Sequence, residues 1–389
     1  MAIVLSDAAA YQKLYPLTFT RAVADIRMGI LSRKHWWQRV SGQQVFAVTQ
    51  PYLQQLYEVI PPGEHIYIDA SVLPNQHLLK NILAIEQEAA LFDDKGIIAA
   101  RKFFNSATDF SQLSLQQFNV VKEVADAKRL EYPWQIFQWN DEMIRQQFAL
   151  ITKGKISQPI SATNQFIQPE NIFIEEGAQV EYALLNASTG PIYIGKNAVV
   201  MEGAFIRGPF VLSEGAVVKM GTKIYGATTI GPYATVGGEL KNVVIQGYSN
   251  KAHDGYLGDS VIGEWCNLGA GTSNSNVKNT GSDVLVWDAH SRSLVNAGAK
   301  CGLVMGDYTR AAINTSINTG SVFGVCCNIF GEGLTPKLLQ NFTWGSKGLT
   351  RYELEKALKD IDQWKKFKQH QLSEAEAAVL KHIFEQLST

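Results

Sequence analysis

From Ile194 onward a branched aliphatic residue recurs every six positions: Ile194, Val200, Ile206, Leu212, Val218, Ile224, Ile230 and Val236. Glycine follows several of these stops, as in Ile194-Gly195, Ile230-Gly231 and Val236-Gly237. A period of six suits neither a lone helix, which repeats near 3.6, nor a hairpin strand, which alternates by two. It predicts a parallel β-helix of hexapeptide repeats, with one short strand per hexad, a tight turn between strands, and the aliphatic side chains pointing into a shared interior. One rung cannot bury its apolar face, so such a stack is stable only as a stack. Ile174 and Val180 already lie on the grid, so the rungs begin near Ile172, with an irregular patch at 186–191. The grid breaks after Val236, resumes at Ile262 and Leu268, and returns at Met305, Ala311, Ile317, Phe323 and Ile329.

Ahead of the stack the period is absent. β-rich runs at 3–5, 45–48 and 65–69 alternate with helix-like stretches around 33–40 and 78–88. That alternation predicts an α/β, Rossmann-like layer with a mainly parallel sheet. Residues 89–94 and 97–103 flank Lys95-Gly96 and read as a hairpin. A helix is expected over 134–150, with Ile136, Trp139, Met143, Ile144 and Phe148 on its apolar face, closing the domain. The polar breakers at 152–155 and Gln158-Pro159 set the boundary. In the tail, Thr350-x-x-Glu353 and Ser373-x-x-Glu376 have the spacing of capping boxes, predicting helices to about 369 and 387 whose apolar stripes pack on the β-helix. The chain thus reads as an α/β domain at 1–152, a β-helix at 153–332, and a loop with helices at 333–389.

A length of 389 residues agrees with two or three domains. The net charge of -1 supplies no basic field for nucleic acid or an anionic membrane, and no apolar run approaches the ~18 residues of a membrane span. The first residues have no basic leader before a long apolar core, so they read as a strand rather than a signal peptide. Cysteines at 266, 301, 326 and 327 fit no zinc spacing and read as reduced thiols of a cytoplasmic protein.

Two regions carry candidate chemistry. In an open α/β sheet, ligands bind beyond the carboxyl ends of the strands, and the loops after Leu5 and Ile68 qualify. Asp69 in the second is a candidate Mg²⁺ ligand, or else a solvated carboxylate capping a turn. The second region is the break in the grid. Residues on loops held by a rigid scaffold are free to serve ligands, and Lys241, Lys251, His253, Tyr256 and several amides gather there beside a glycine-rich rung. Those groups suit the holding of a phosphate and the movement of a proton.

Both regions resemble known families. Pro16-Leu17-Thr18, shortly after the first strand, resembles the sugar-1-phosphate nucleotidyltransferases. That resemblance implies Mg²⁺ at Asp69, a nucleoside triphosphate (UTP or dTTP) as cosubstrate, and Thr18, Arg21 and Arg27 around the phosphates. The chain departs from the family in having no glycine before Gly29 and Ala22-Val23 where Pro-Lys stands in the family. Lys251-Ala252-His253, Tyr256-Leu257-Gly258-Asp259, Ile262-Gly263 and Asn267-Leu268-Gly269-Ala270-Gly271-Thr272 resemble the acetyltransferase half of the bifunctional N-acetylglucosamine-1-phosphate uridyltransferase/glucosamine-1-phosphate acetyltransferases. The domain order agrees too. This resemblance implies His253 as general base, Lys241 and Tyr256 on the sugar phosphate, and Asn267 and Asn276 as substrate-contacting amides. It places the Ala270 backbone near the acetyl-CoA thioester, and it implies a left-handed β-helix assembled as a homotrimer. Thr235 stands near the position of the family's phosphate-binding arginine, and Val277 replaces a tyrosine.

Two enzymatic readings follow. The chain acetylates and nucleotidylates a hexosamine 1-phosphate, or it only acylates, with the front domain acting as a lid or ligand sensor. A metal-bearing β-helix of the carbonic-anhydrase kind needs several histidines on the rungs, and this stack offers only His253 and His290.

Overall fold

Strand β1 (Ile3–Ser6) organises the front of the chain. It lies between β2 (Val45–Val48) and β3 (Gly63–Asp69), parallel to both. Ile3, Val4 and Leu5 are completely buried, which is why this strand is an unbroken aliphatic run rather than an alternating one. The structure, a computed structural model, describes residues 1–7, 10–105, 113–125 and 127–387, so Ala8 and Ala9 of the first loop lie outside it. The expected hairpin is present as β4 (Ala89–Asp93) and β5 (Gly96–Phe104), and β6 (Val120–Glu123) completes the order β2-β1-β3-β5-β4-β6. Because β5 runs antiparallel to both β3 and β4, the sheet is mixed rather than mainly parallel. Helix α1 (Arg33–Ser41) starts at Ser32, whose side chain accepts the His35 N–H, and stops at Gly42 with φ +67°. Helices α2 (Pro51–Gln54) and α3 (Gln76–Leu83) complete the layer.

The chain divides into two compact units. Met1–Leu14, Thr20–Ile26 and Leu31–Tyr132 form the first; Tyr15–Phe19, Arg27–Ile30 and Pro133–Thr389 form the second. Helices α4 (Gln135–Gln138) and α5 (Asn140–Thr152) therefore belong with the solenoid, upstream of the break suggested at 152. Buried amides on α5 account for this. Asn140 donates to Ala227 O (3.0 Å) and Thr229 Oγ1 (3.1 Å) and accepts the Gly29 N–H (2.8 Å). Gln147 donates to Met28 O (3.0 Å) and accepts the Ile30 N–H (2.7 Å). Polar atoms with no exposure must find such partners, and an apolar-face reading of the helix does not reveal them.

In the second unit the hexad grid is the core. None of the eight stops from Ile194 to Val236 is more than 2% exposed. Successive stops fall on different faces, so each residue stacks on the one eighteen positions away, as Ile194 on Leu212 and Val200 on Val218. The grid breaks where a corner is lost. Ile230 stacks on Ile245, only fifteen positions on, and the strand Glu239–Gly247 runs continuously along two faces, as does Tyr256–Glu264 above it. Asn242 (φ 51°) and Asp259 (φ 46°) make the bend within each long strand; both types tolerate the left-handed conformation better than most side chains. A second break is an insertion after Ser273–Asn274, which carries the antiparallel hairpin Leu285–Asp288/Ser293–Asn296 before the coil resumes at Leu303.

The tail forms α6 (Leu354–Lys366) and α7 (Glu374–Gln386). Ser373 and Glu376 make a complete capping box, whereas Thr350 lies in a strand and Glu353 caps α6 without a side-chain bond, so the first predicted box is absent. The helices cover a column of aromatic corner residues. Tyr233 stacks on Tyr248 (5.3 Å between centroids), Tyr248 stacks on Trp265 (4.4 Å), and His370 meets Tyr248 and Trp265 edge-on. Lys365 lies over the Trp265 ring and pairs with Glu376 at 2.5 Å. Ser373→Ala should lower unfolding free energy by about 1 kcal/mol, read from the urea midpoint at unchanged slope; no change would mean that the box contributes nothing.

Candidate active site

Lys251 is the candidate whose role the structure changes most. It pairs with Val236 in the coil below, and its strand pairs with Asn267-Leu268 above, so it takes an interior position where its neighbours carry aliphatics. Only 1% of it is exposed, and Nζ donates to Gly237 O (3.1 Å) and to His253 O. Burial pushes its pKa down to about 8, with Asp254 acting the other way. Lys251 is therefore not a surface ligand for a sugar phosphate. It tethers, from inside, the corner 252–255 that carries His253.

His253 itself is exposed on that corner. Glycines let the coils close on it from below: a Cβ on Gly237 would lie 2.5 Å from Ala252 O, and one on Gly238 would lie 2.8 Å from His253 O. Above, Gly271 N–H donates to Asp254 O at 2.9 Å, which sets Ala270 one coil over His253 at the same corner. The two residues are seventeen positions apart in the chain, across the break in the grid, yet the stacking makes them neighbours.

Beside the corner, the strands Lys223–Tyr225, Glu239–Gly247 and Tyr256–Glu264 run in register. Tyr225 pairs with Lys241, and Lys241 with Gly258. The Tyr256 ring folds over Gly258, where a Cβ would lie 2.2 Å from its hydroxyl. Asn276 donates to the Tyr256 hydroxyl (3.1 Å) and to Asp259, and Asn242 donates to Asp259 Oδ1 (2.9 Å). Burial, reinforced by Asp259, pushes the Tyr256 phenol up to about 12, so it remains a hydrogen-bond donor at neutral pH. Strand register thus sets Lys241 beside the Tyr256–Asn276 pair, and Asp259 accepts from Asn276 and Asn242. Tyr225 and Asn242 join the same face, and no motif spacing marked them; only strand register reveals them. Tyr225 donates to Glu239 Oε1 at 2.6 Å. A groove of about 590 Å³, lined among others by Phe205, Arg207, Lys223 and Tyr225, lies along the lower coils. Asn267 stands apart, on the ten-stranded sheet between Asn250 and Arg310.

In the first unit, Asp7 follows β1 and Asp69 ends β3, so two carboxylates sit at the carboxyl ends of adjacent parallel strands. Asp7 is fully buried; Oδ1 accepts the Val23 N–H (3.0 Å), and Oδ2 has no hydrogen-bond partner among the described residues. Burial, partly offset by hydrogen bonding, pushes it up to about 7. Asp69 Oδ1 accepts the Ser71 N–H (2.8 Å), and Oδ2 accepts from Arg129. Mg²⁺ does not fit this donor set, because a guanidinium already occupies the carboxylate, and no group of three metal-binding side chains occurs among the described residues. The three phosphate partners implied by resemblance are not assembled on an open loop. Thr18 is completely buried, Arg21 is 5% exposed, and Arg27 is anchored through its N–H to Gln246 Oε1 (2.7 Å) and through Nη1 to Ile30 O.

Residues 3–156 match the sugar nucleotidyl transferase family. Among curated proteins, the chain is 24% identical over 219 residues to the bifunctional protein GlmU of Synechococcus elongatus, covering 50% of this chain and 47% of that protein. It is 28% identical over 151 residues to the bifunctional sugar-1-phosphate nucleotidylyltransferase/acetyltransferase of Sulfurisphaera tokodaii (34% and 37% covered). Against the GlmU of Methanocaldococcus jannaschii it is 31% identical over 106 residues (27% and 26%). The chain spans about half the length, or less, of these relatives. The matched segment contains the β1 and β3 strand ends, with Asp7, Asp69 and Arg129 among its residues.

Proposed function

We propose that the chain is a transferase of amino-sugar nucleotide synthesis that N-acetylates a hexosamine 1-phosphate with acetyl-CoA at the His253 corner. The observation that carries this reading is the meeting of His253 and Ala270 on one corner, flanked by the Lys241–Tyr256–Asn276 face. Lys241 and the Tyr256 hydroxyl hold the phosphate and sugar. Neutral His253 removes a proton from the amine as its nitrogen attacks the thioester carbonyl. The N–C bond forms, the C–S bond breaks, and the imidazolium returns that proton to the departing CoA sulfur. The Ala270 carbonyl is taken by Asn314 N–H (2.7 Å), so what Ala270 offers the thioester oxygen is its N–H. The same reading has the solenoid act as a homotrimer, in a cytoplasm that keeps its four buried cysteines as free thiols.

The test is purified protein given glucosamine 1-phosphate and acetyl-CoA, with CoA release followed. No release with this or another hexosamine 1-phosphate would end the acetyltransferase reading. Lys241→Met should raise KM for the sugar phosphate by about 10–100-fold, the worth of one charged hydrogen bond, while kcat changes little. A kcat defect at unchanged KM would remove Lys241 from phosphate binding.

For the first unit, the family match supports recognition of a sugar phosphate or nucleotide sugar. The occupied Asp69 favours a unit that binds such a ligand over one that transfers a nucleotidyl group through Mg²⁺.

A further inference from the structure

Arg129 sits at the junction of β3 and the β4–β5 hairpin, with 6% of it exposed. Besides Asp69, it holds Asp93 through Nε (3.1 Å) and Nη2 (2.8 Å), and Nη2 also donates to Gly96 O (3.1 Å). Asp93 and Gly96 flank the hairpin turn, so one guanidinium fastens that turn to the end of β3. A planar fork with donors on three nitrogens suits this, whereas a small octahedral cation requires oxygen ligands and keeps several waters. Asp69 is 1% exposed and each of its oxygens already accepts a hydrogen bond, Oδ2 from the guanidinium, so an ion on Oδ2 would have to compete with Arg129 for it. A divalent ion at Asp69 would also lie in contact with a fixed positive charge, in surroundings that screen poorly.

We propose that Arg129 is the built-in counter-cation of Asp69 and Asp93, so that the first unit takes a nucleoside diphosphate sugar with no divalent cation at Asp69. The ligand class rests on the reading of the first unit given above; the role of Arg129 rests on geometry alone. The consequence is a sugar nucleotidyl transferase fold whose ligand binding is insensitive to chelators.

Two measurements on the full chain decide it. In the first, Mn²⁺ is titrated by electron paramagnetic resonance: the wild type should show no site that Asp69→Asn removes, while Arg129→Gln, by freeing two carboxylates, should create one that Asp69→Asn abolishes. Stoichiometric Mn²⁺ binding by the wild type, lost in Asp69→Asn, overturns the proposal, and this arm needs no folded Arg129 variant. In the second, UDP-N-acetylglucosamine is titrated calorimetrically in EDTA and in MgCl₂. Equal dissociation constants support the proposal, and tightening by an order of magnitude or more in MgCl₂ overturns it. If the nucleotide sugar binds in neither buffer, the ligand reading of the unit fails, while the Mn²⁺ titration still decides the role of Arg129.

Discussion

Replacing His253 with alanine should slow acetyl transfer to glucosamine 1-phosphate by about 10²–10⁴-fold, the usual worth of a positioned general base. The loss should fall on kcat, because Lys241, Tyr256 and Asn276 stay in place to bind the sugar phosphate. Stability should hardly move, since the imidazole is exposed, and exposed substitutions away from special features shift unfolding by no more than about 0.5 kcal/mol. A rate within threefold of wild type in a folded variant would rule out His253 as the base.

Lys251→Met should have the opposite signature: a more stable protein that works less well. Methionine preserves the volume at an interior position stacked among Val236 and Leu268 and removes a buried ammonium that no carboxylate pairs within the described residues. The folded pKa of about 8 lies below the ordinary 10.5. Between those values the unfolded chain holds more protons than the folded one, so wild-type stability climbs with pH across that window. Below pH 8 the whole penalty applies, at most about 3 kcal/mol for such a shift. The carbonyls of Gly237 and His253 lose a donor, which takes back part of the gain. The net expectation is about 1–3 kcal/mol of added stability at pH 7, fading as pH approaches 10.5. Acetylation should fall in the same variant, because the corner bearing His253 has lost its inner tether. A variant less stable than wild type at pH 7, or a difference that is flat in pH, would show that the ammonium stabilises the coil on balance. A lysine kept at such a position marks a site where stability has yielded to geometry.

What was readable in advance follows from periodicity. A hexad of aliphatics is a one-dimensional record of a one-dimensional fold, so Ile194 to Val236 could be assigned to the interior, and all eight are there. Strand β1, the Lys95-Gly96 hairpin and the Ser373 capping box were legible for the same reason: each is settled by neighbours within a few residues. The Thr350 box failed because its spacing matched while the backbone was drawn into a strand with Thr343-Trp344.

Side-chain direction is where local reading stops. Lys251 and Lys241 look alike as letters in a polar break, but a coil shortened to fifteen residues turns one inward and leaves the other on the open face beside Tyr256. Asp69 could be named as a strand-end carboxylate from its surroundings, yet its partner, Arg129, comes sixty residues later and no motif connects them. The sequence by itself determined that this protein has a stack of short strands following an α/β segment in the chain, because repeated burial every six residues is written along it. Which charges meet, and therefore which can serve a ligand, was decided only by the register between coils and strands, since that alone brings distant residues within hydrogen-bonding reach.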